Sequence, residues 1–127
     1  MIISFAWTSA PLIAGHKTVT RRDWTDNYAS QFKAGMLVDA YDRQPRFKGK
    51  KIALIQLQTD PILMANEDMP DEDYEAEGFG YLAEHPELIP KSFQIRPGET
   101  MLDRFNLWRY GDTGLMWVLR FKLLEVI

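Results

Sequence analysis

The chain has 127 residues and a net charge of −3, with 46% hydrophobic, 13% aromatic and 26% charged side chains. That suits one domain over residues 1–127, and the apolar content is too high for a disordered chain. The absence of cysteine excludes disulfides, thiolate metal sites and a cysteine nucleophile, and only two histidines, His16 and His85, exclude a histidine-rich metal centre.

Residues 2–7 are apolar and rich in β formers, which predicts a strand. Thr8 or Ser9 then caps a short helix with Pro11 in its first turn and Gly15 after its end. Asp23 or Thr25 starts a second helix, with Tyr28 and Phe32 on one face and Gly35 as its stop. In residues 36–42, Leu37, Asp39 and Tyr41 alternate with Val38 and Ala40, the pattern of a strand. A loop with Pro45 and a basic cluster follows. Residues 51–58 form the clearest strand, and Ile55 suggests burial on both faces. Pro61 interrupts it, and residues 62–64 continue beyond.

The acidic stretch 66–78 reads as a helix, with Asp68 or Met69 preceding Pro70 at its first position, carboxylates in its first turns and Gly78 as its stop. Residues 79–97 are mixed and punctuated by Pro86, Pro90 and Pro97. Residues 98–110 predict a helix with Thr100 and Asp103 in capping-box spacing and with Met101, Phe105 and Trp108 on one face. A last strand covers 115–126. Strands separated by helices in so short a chain predict an α+β fold, a partly closed barrel flanked by short helices.

Charge is unevenly distributed. Residues 1–58 carry +5, residues 59–103 carry −10 and residues 104–127 carry +2. The favoured reading is that basic and acidic segments fold against each other; the alternative is a phosphate-binding basic half. No apolar run approaches the roughly 20 residues of a membrane span. The first residues lack the basic and apolar regions of a signal peptide. A soluble, cytoplasmic protein without membrane contact is expected.

Gly15-His16-Lys17-Thr18 invites comparison with a phosphate-binding loop, but His16 separates Gly15 from Lys17 and Ala10 replaces the upstream glycine. Asp71, Asp73 and Glu75 imitate a calcium loop, yet Ala76 occupies the position of the turn glycine. Neither motif holds.

Gly15-x-Lys17-Thr18-x-Thr20-x-Arg22 after a short helix resembles the signature of the ASCH domain family, whose fold is a PUA-like β-barrel. Phe32-Lys33-Ala34-Gly35-Met36-Leu37-Val38 resembles that family's entry to its next strand, with Met36 where a polar residue is usual. Glu77-Gly78-Phe79 resembles its helix end, and Trp117-Val118-Leu119-Arg120-Phe121 its closing strand. The likeness spans nearly the whole chain, with residues 80–113 aligning poorly.

One branch of this family resembles amidohydrolases that deacetylate N4-acetylcytidine. The resemblance places a catalytic set on Lys17, Thr20 and Glu77, with no metal or cofactor. Other members are taken as RNA-binding or ribonuclease-like modules, so a nucleoside or a short single-stranded RNA is the expected partner. Thr20 would serve as nucleophile or would position water. Lys17 would be a base only if burial or nearby cations lowered its pKa; otherwise it contacts phosphate or solvent. Glu77 would relay protons, orient Lys17, or merely bridge to Arg21 or Arg22.

Thr18, Arg21, Arg22, Trp24, Arg43 and Arg46 are the candidate ligand-binding residues. Trp24 can stack a base or belong to the core, whereas Trp7 is expected in the core. One tension is geometric: in a regular strand positions 17 and 20 face opposite sides, so they share a pocket only if the segment is bulged or turn-like.

Overall fold

The computed structural model describes residues 1–93, 95–111 and 113–127. Six strands form one sheet: β1 (Ile2–Ser4), β2 (Val19–Arg22), β3 (Leu37–Tyr41), β4 (Lys51–Leu57), β5 (Ile62–Ala65) and β6 (Leu115–Val126). Their order is β1-β3-β4-β6-β2, and β5 also pairs with β6. Among the described residues, the β1–β3 pair is parallel and the other pairs are antiparallel. The long β6 takes β4 along its second half, from Leu57↔Phe121 to Ala53↔Val126. It takes β5 along its first half on the same side, from Ile62↔Val118 to Ala65↔Leu115. Thus β4 and β5 are one strand interrupted around Pro61, and β2 lies on the other side of β6. The sheet curls into a half-barrel with β1 and β2 at its open edges, an α+β architecture with several short helices.

Alternation explains the barrel core. Val38 and Ala40 of β3, Ala53, Ile55 and Leu57 of β4, and Leu119 and Phe121 of β6 point inward. Ile3, Phe5, Leu12 and Phe32 complete this core. The opposite face of β4 is half-buried at Ile52 and Leu54, so the two-sided burial suggested by Ile55 is partial. A second apolar cluster joins Met69, Phe79, Leu82, Met101 and Phe105 beside the sheet. Burying one such phenylalanine or leucine contributes about 1.5–3 kcal/mol.

The first strand stops at Ser4 rather than at Trp7, because Phe5 adopts helical angles and Ala6 a positive φ of 48°, turning the chain into a 3-10 turn at Ala6–Thr8. Helix α1 (Ser9–Ile13) follows, then α2 (Asp26–Ala29), where the Thr25 hydroxyl accepts from the Tyr28 N–H. The acidic helix expected over 66–78 is broken. Pro70 disfavours helical angles at Met69, which is extended (φ −62°, ψ 125°). A 3-10 turn at Asn66–Asp68 and helix α3 (Asp73–Ala76) flank the break. The mixed segment after Gly78 begins with a further helix, α4 (Phe79–Glu84).

Helix α5 (Met101–Gly111) carries the expected capping box. The Asp103 N–H donates to Thr100 Oγ1 at 3.1 Å, and the Thr100 N–H donates to Asp103 Oδ2 at 2.9 Å. The acidic middle of the chain does fold against basic residues. Asp73 meets Arg21 and Arg120, Asp71 meets Arg109, and Glu77 meets Lys17 and Arg21. Among the described residues, no helix is long and apolar enough to cross a membrane.

Candidate functional site

The Gly15–Arg22 segment wraps the end of α1. Gly15 takes a φ of 81°, and the N–H groups of His16 and Lys17 both donate to the Pro11 carbonyl, at 2.9 and 3.0 Å. Strand pairing begins only at Val19, so Lys17 is free of the strand's alternation. This resolves the tension between positions 17 and 20 without a bulge. Within β2, Thr20 and Arg22 share a face, and Arg22 Nε donates to Thr20 Oγ1 at 3.1 Å.

Glu77 arrives from the end of α3. Its N–H closes that helix on the Asp73 carbonyl at 2.8 Å, and the chain reverses at once through Gly78, whose φ is 99°. A Cβ at position 78 would lie 2.9 Å from Pro11 Cγ and 3.7 Å from Lys17 Cβ. Glycine therefore permits both the left-handed turn and the close approach of the α3–α4 corner to α1. The Thr18 N–H, donating to the Ala76 carbonyl at 2.8 Å, ties the same corner to the segment leading into β2.

These two corners assemble a buried ionic network. Lys17 Nζ donates to the Glu77 carbonyl at 2.9 Å and to Glu77 Oε1 at 3.0 Å. Arg21 donates to Glu77 Oε2 at 2.6 Å and to Asp73 Oδ2 at 2.5 Å. Arg120 grips Asp73 with two bonds of 3.0 Å. Lys17 and Thr20 are each 3% exposed and Glu77 6%. Burial pushes the Lys17 amine below the ordinary lysine value; Glu77 opposes this shift, and Arg22 and Arg21 reinforce it. Burial alone would raise the Asp73 carboxyl, but hydrogen bonds and charge from Arg120 and Arg21 hold it below the usual aspartate value.

A cavity of about 420 Å³ opens at this network. One wall is polar: Lys17, Thr20, Arg21, Arg22 and Glu77. The other is aromatic: Trp7, Phe79, Phe93 and Trp108. Trp7 packs on Phe93 at 4.9 Å between ring centroids, and Phe79 lies 5.6 Å from Trp108. Trp7, expected in the core, is half-buried and forms part of this wall.

The remaining candidates stand elsewhere. Thr18 is exposed and outside the cavity, engaged through its backbone. Trp24 stacks on Phe32 at 4.6 Å and lines a neighbouring groove with Tyr28 and Gln44. Trp24 is thus half-buried, packed on the core through Phe32 while still lining that groove. Arg43 and Arg46 are exposed on the loop between β3 and β4, with Arg46 over the Phe47 ring at 5.0 Å. Phe93 and Trp108 join the cavity without any sequence signal for a site. No local spacing marks Phe93, and Trp108 reads as an ordinary core position of its helix. Among the described residues, no group of three or more acidic or histidine side chains is arranged to hold a metal ion.

The arrangement offers a buried amine with lowered basicity, a hydroxyl, a carboxylate that orients the amine, and flat apolar surface for a ring.

Solved structures that share the fold include the following two. Protein EF3133 from Enterococcus faecalis V583, of the DUF984 family, matches with a TM-score of 0.56 and 18% identity, over 96% of this chain and 72% of its own. A point mutant of ZmASCH from Zymomonas mobilis matches with a TM-score of 0.54 and 12% identity, over 99% of this chain and 73% of its own. At such identities the likeness concerns architecture: the chain has the ASCH-like, PUA-like fold that its first motif led one to expect. No family model and no curated protein matches the sequence.

Proposed function

We propose that the cavity binds the base of a nucleoside, free or within a short single-stranded RNA of the cytoplasm, and hydrolyses an N-acyl group on its exocyclic nitrogen, N4-acetylcytidine being the model substrate. The observation that carries this reading is the pair of hydrogen bonds that Lys17 donates to Glu77. A neutral amine has two hydrogens and one lone pair. The Glu77 carbonyl and Oε1 take the two hydrogens, which leaves the lone pair for the cavity that Thr20 also lines. Burial favours this neutral form.

In the proposed reaction, the Thr20 hydroxyl gives its proton to Lys17 as its oxygen attacks the acyl carbon. The tetrahedral intermediate collapses, the C–N bond breaks, and the Lys17 ammonium returns the proton to the departing amino group of the base. Water then cleaves the threonine ester, releasing acetate and restoring the hydroxyl. The aromatic wall supplies stacking worth about 1–3 kcal/mol per base, and the volume of the cavity suits a small ligand.

Incubation with N4-acetylcytidine and with acetylated short RNA, followed by chromatography, tests the reading. Cytidine and acetate in equal amounts are expected; absence of cleavage from both substrates overturns it. A non-catalytic RNA-binding module is the second reading, favoured by the exposed cations Arg43, Arg46, Lys48 and Lys50 beside the cavity's neighbouring groove. It requires an RNA affinity that falls with salt and with neutralisation of those cations.

A further inference from the structure

Arg22 differs from the other cations of this region. Lys17 rests on Glu77, Arg21 on Glu77 and Asp73, and Arg120 on Asp73. Among the described residues, Arg22 pairs with no carboxylate. Its Nε–H goes to Thr20 Oγ1 at 3.1 Å and an Nη2–H to the Ser4 carbonyl at 2.8 Å, while its guanidinium lies 5.4 Å from the centre of the Phe5 ring. Its direct hydrogen bonds thus go to two neutral acceptors in a part-buried place, and the charge of Glu77 supports it only from beyond ion-pair distance. Such a charge is costly without a direct counter-ion, and it is well placed to meet negative charge that forms only during a reaction.

The bond to Thr20 also has a direction. A guanidinium carries five donors and no acceptor. Thr20 can only accept from Arg22, so its own proton is not spent on Arg22 and remains available to a group of the cavity that Lys17 also lines.

Resting on the hydrolytic reading, we propose that Arg22 is a positioning residue: clamped to Ser4 across the open seam of the half-barrel, it fixes the Thr20 oxygen and offsets the negative charge that grows there as the proton passes to Lys17. The same charge bears on Lys17. The groups facing that amine are Glu77 at the end of α3, and Arg21 and Arg22 on β2. Asp73 and Arg120 stand behind Arg21. Glu77 favours the ammonium form, and Arg22 favours the free amine. Loss of Arg22 therefore lets Lys17 keep its proton to higher pH.

The test uses Arg22→Gln and Arg22→Lys, each checked for a native melting transition. With N4-acetylcytidine, Arg22→Gln is expected to lower kcat at pH 7 by at least about 100-fold, the scale of one lost electrostatic donor, with KM within about threefold of wild type. Its activity should rise at higher pH than that of the wild type. Arg22→Lys keeps the charge but not the two-point bridge, so kcat should fall while the pH profile stays near that of the wild type. Independently of turnover, an NMR titration should place the Lys17 midpoint higher in Arg22→Gln. An increase in KM with unchanged kcat would make Arg22 a ligand-binding cation instead. A pH-independent loss with an unmoved Lys17 midpoint would make it a structural clamp. Either result overturns the proposal. A wild type that cleaves nothing ends the hydrolytic reading, whereas an active wild type matched by Arg22→Gln ends this one. Should Arg22→Gln fail to fold, the kcat and pH profile of Arg22→Lys decide.

Discussion

Lys17 and Glu77 stand 60 residues apart and are joined twice, once through the Glu77 carbonyl and once through its carboxylate. The amine thereby engages both the backbone that ends α3 and the side chain that projects from it. Any change that displaces the α3–α4 corner displaces the orientation of Lys17 with it.

Lys17→Met and Thr20→Val replace each functional group with an apolar side chain of similar shape. Turnover of N4-acetylcytidine should fall at least about 100-fold in both, the scale of a lost acid–base or nucleophilic group. The melting temperature of Lys17→Met should fall, because the Glu77 carbonyl and Oε1 lose their buried donor, although Glu77 keeps Arg21. Deacetylation assays and thermal melts decide. Retained turnover in either variant removes that residue from the chemistry.

Glu77→Gln removes the group that most favours the Lys17 ammonium. The Lys17 midpoint should drop further below the ordinary lysine value, and the alkaline rise of activity should begin at lower pH. Arg21 loses one of its two carboxylates, so stability should fall by about 3 kcal/mol. NMR titration and urea melts measure both effects. A Lys17 midpoint that rises would contradict the charge balance described for the site.

Stability should depend on pH at both ends of the scale. Against burial, Arg120 and Arg21 hold Asp73 below its ordinary value of 3.8. Between the folded value and 3.8 the unfolded chain binds more protons, so this stabilisation is complete above that window and lost as pH falls through the folded value. Burial places Lys17 below its ordinary 10.5. Between its folded value and 10.5 the unfolded chain again binds more protons, and its contribution makes stability rise with pH. Urea melts across the pH range should therefore show a flatter acid limb in Asp73→Asn and a flatter alkaline limb in Lys17→Met. An Asp73→Asn curve parallel to wild type in acid would refute the assignment.

Gly78→Ala tests the corner. The substitution forces alanine to a φ of 99° and drives its Cβ to 2.9 Å from Pro11 Cγ. A loss of about 2 kcal/mol or more is expected from the strained backbone and the contact together. The Lys17 titration should change as well, since Glu77 is the adjacent residue. An unaltered melting temperature would mean that the corner relaxes freely.

Much of this was legible from local chemistry. The capping box at Thr100 and Asp103, the glycine turn at Gly15 and the alternation of β3 each depend on neighbours within a few positions, and each forms as read. In the acidic stretch Met69 is extended before Pro70, as a helix start there requires, but the α-helix covers only Asp73–Ala76. Of the site, Lys17, Thr20 and Glu77 line one cavity, and the motif resemblance had already named them together. Their meeting depends on the Gly78–Pro11 contact, which no local pattern announces. Trp7 and Trp24 show the converse. Each is a tryptophan beside a strand end. One lines the cavity because Ala6 turns the chain, and the other packs on the core because Phe32 lies within reach. Composition cannot separate them.

The pairing of β2 with β6 has a consequence for folding kinetics. It joins Val19 to Arg120, closing a loop of about a hundred residues. Such a closure loses chain entropy before its contacts compensate, which slows folding relative to local pairings. The β3–β4 hairpin and the helices rest on much shorter closures. Until that closure forms, β2 has no neighbouring strand to fix Thr20, although Arg21 and Thr18 can still bond Asp73 and Ala76 of the α3 segment. Ligand binding in a refolding experiment should thus return with the slowest phase, after most of the helical signal has recovered.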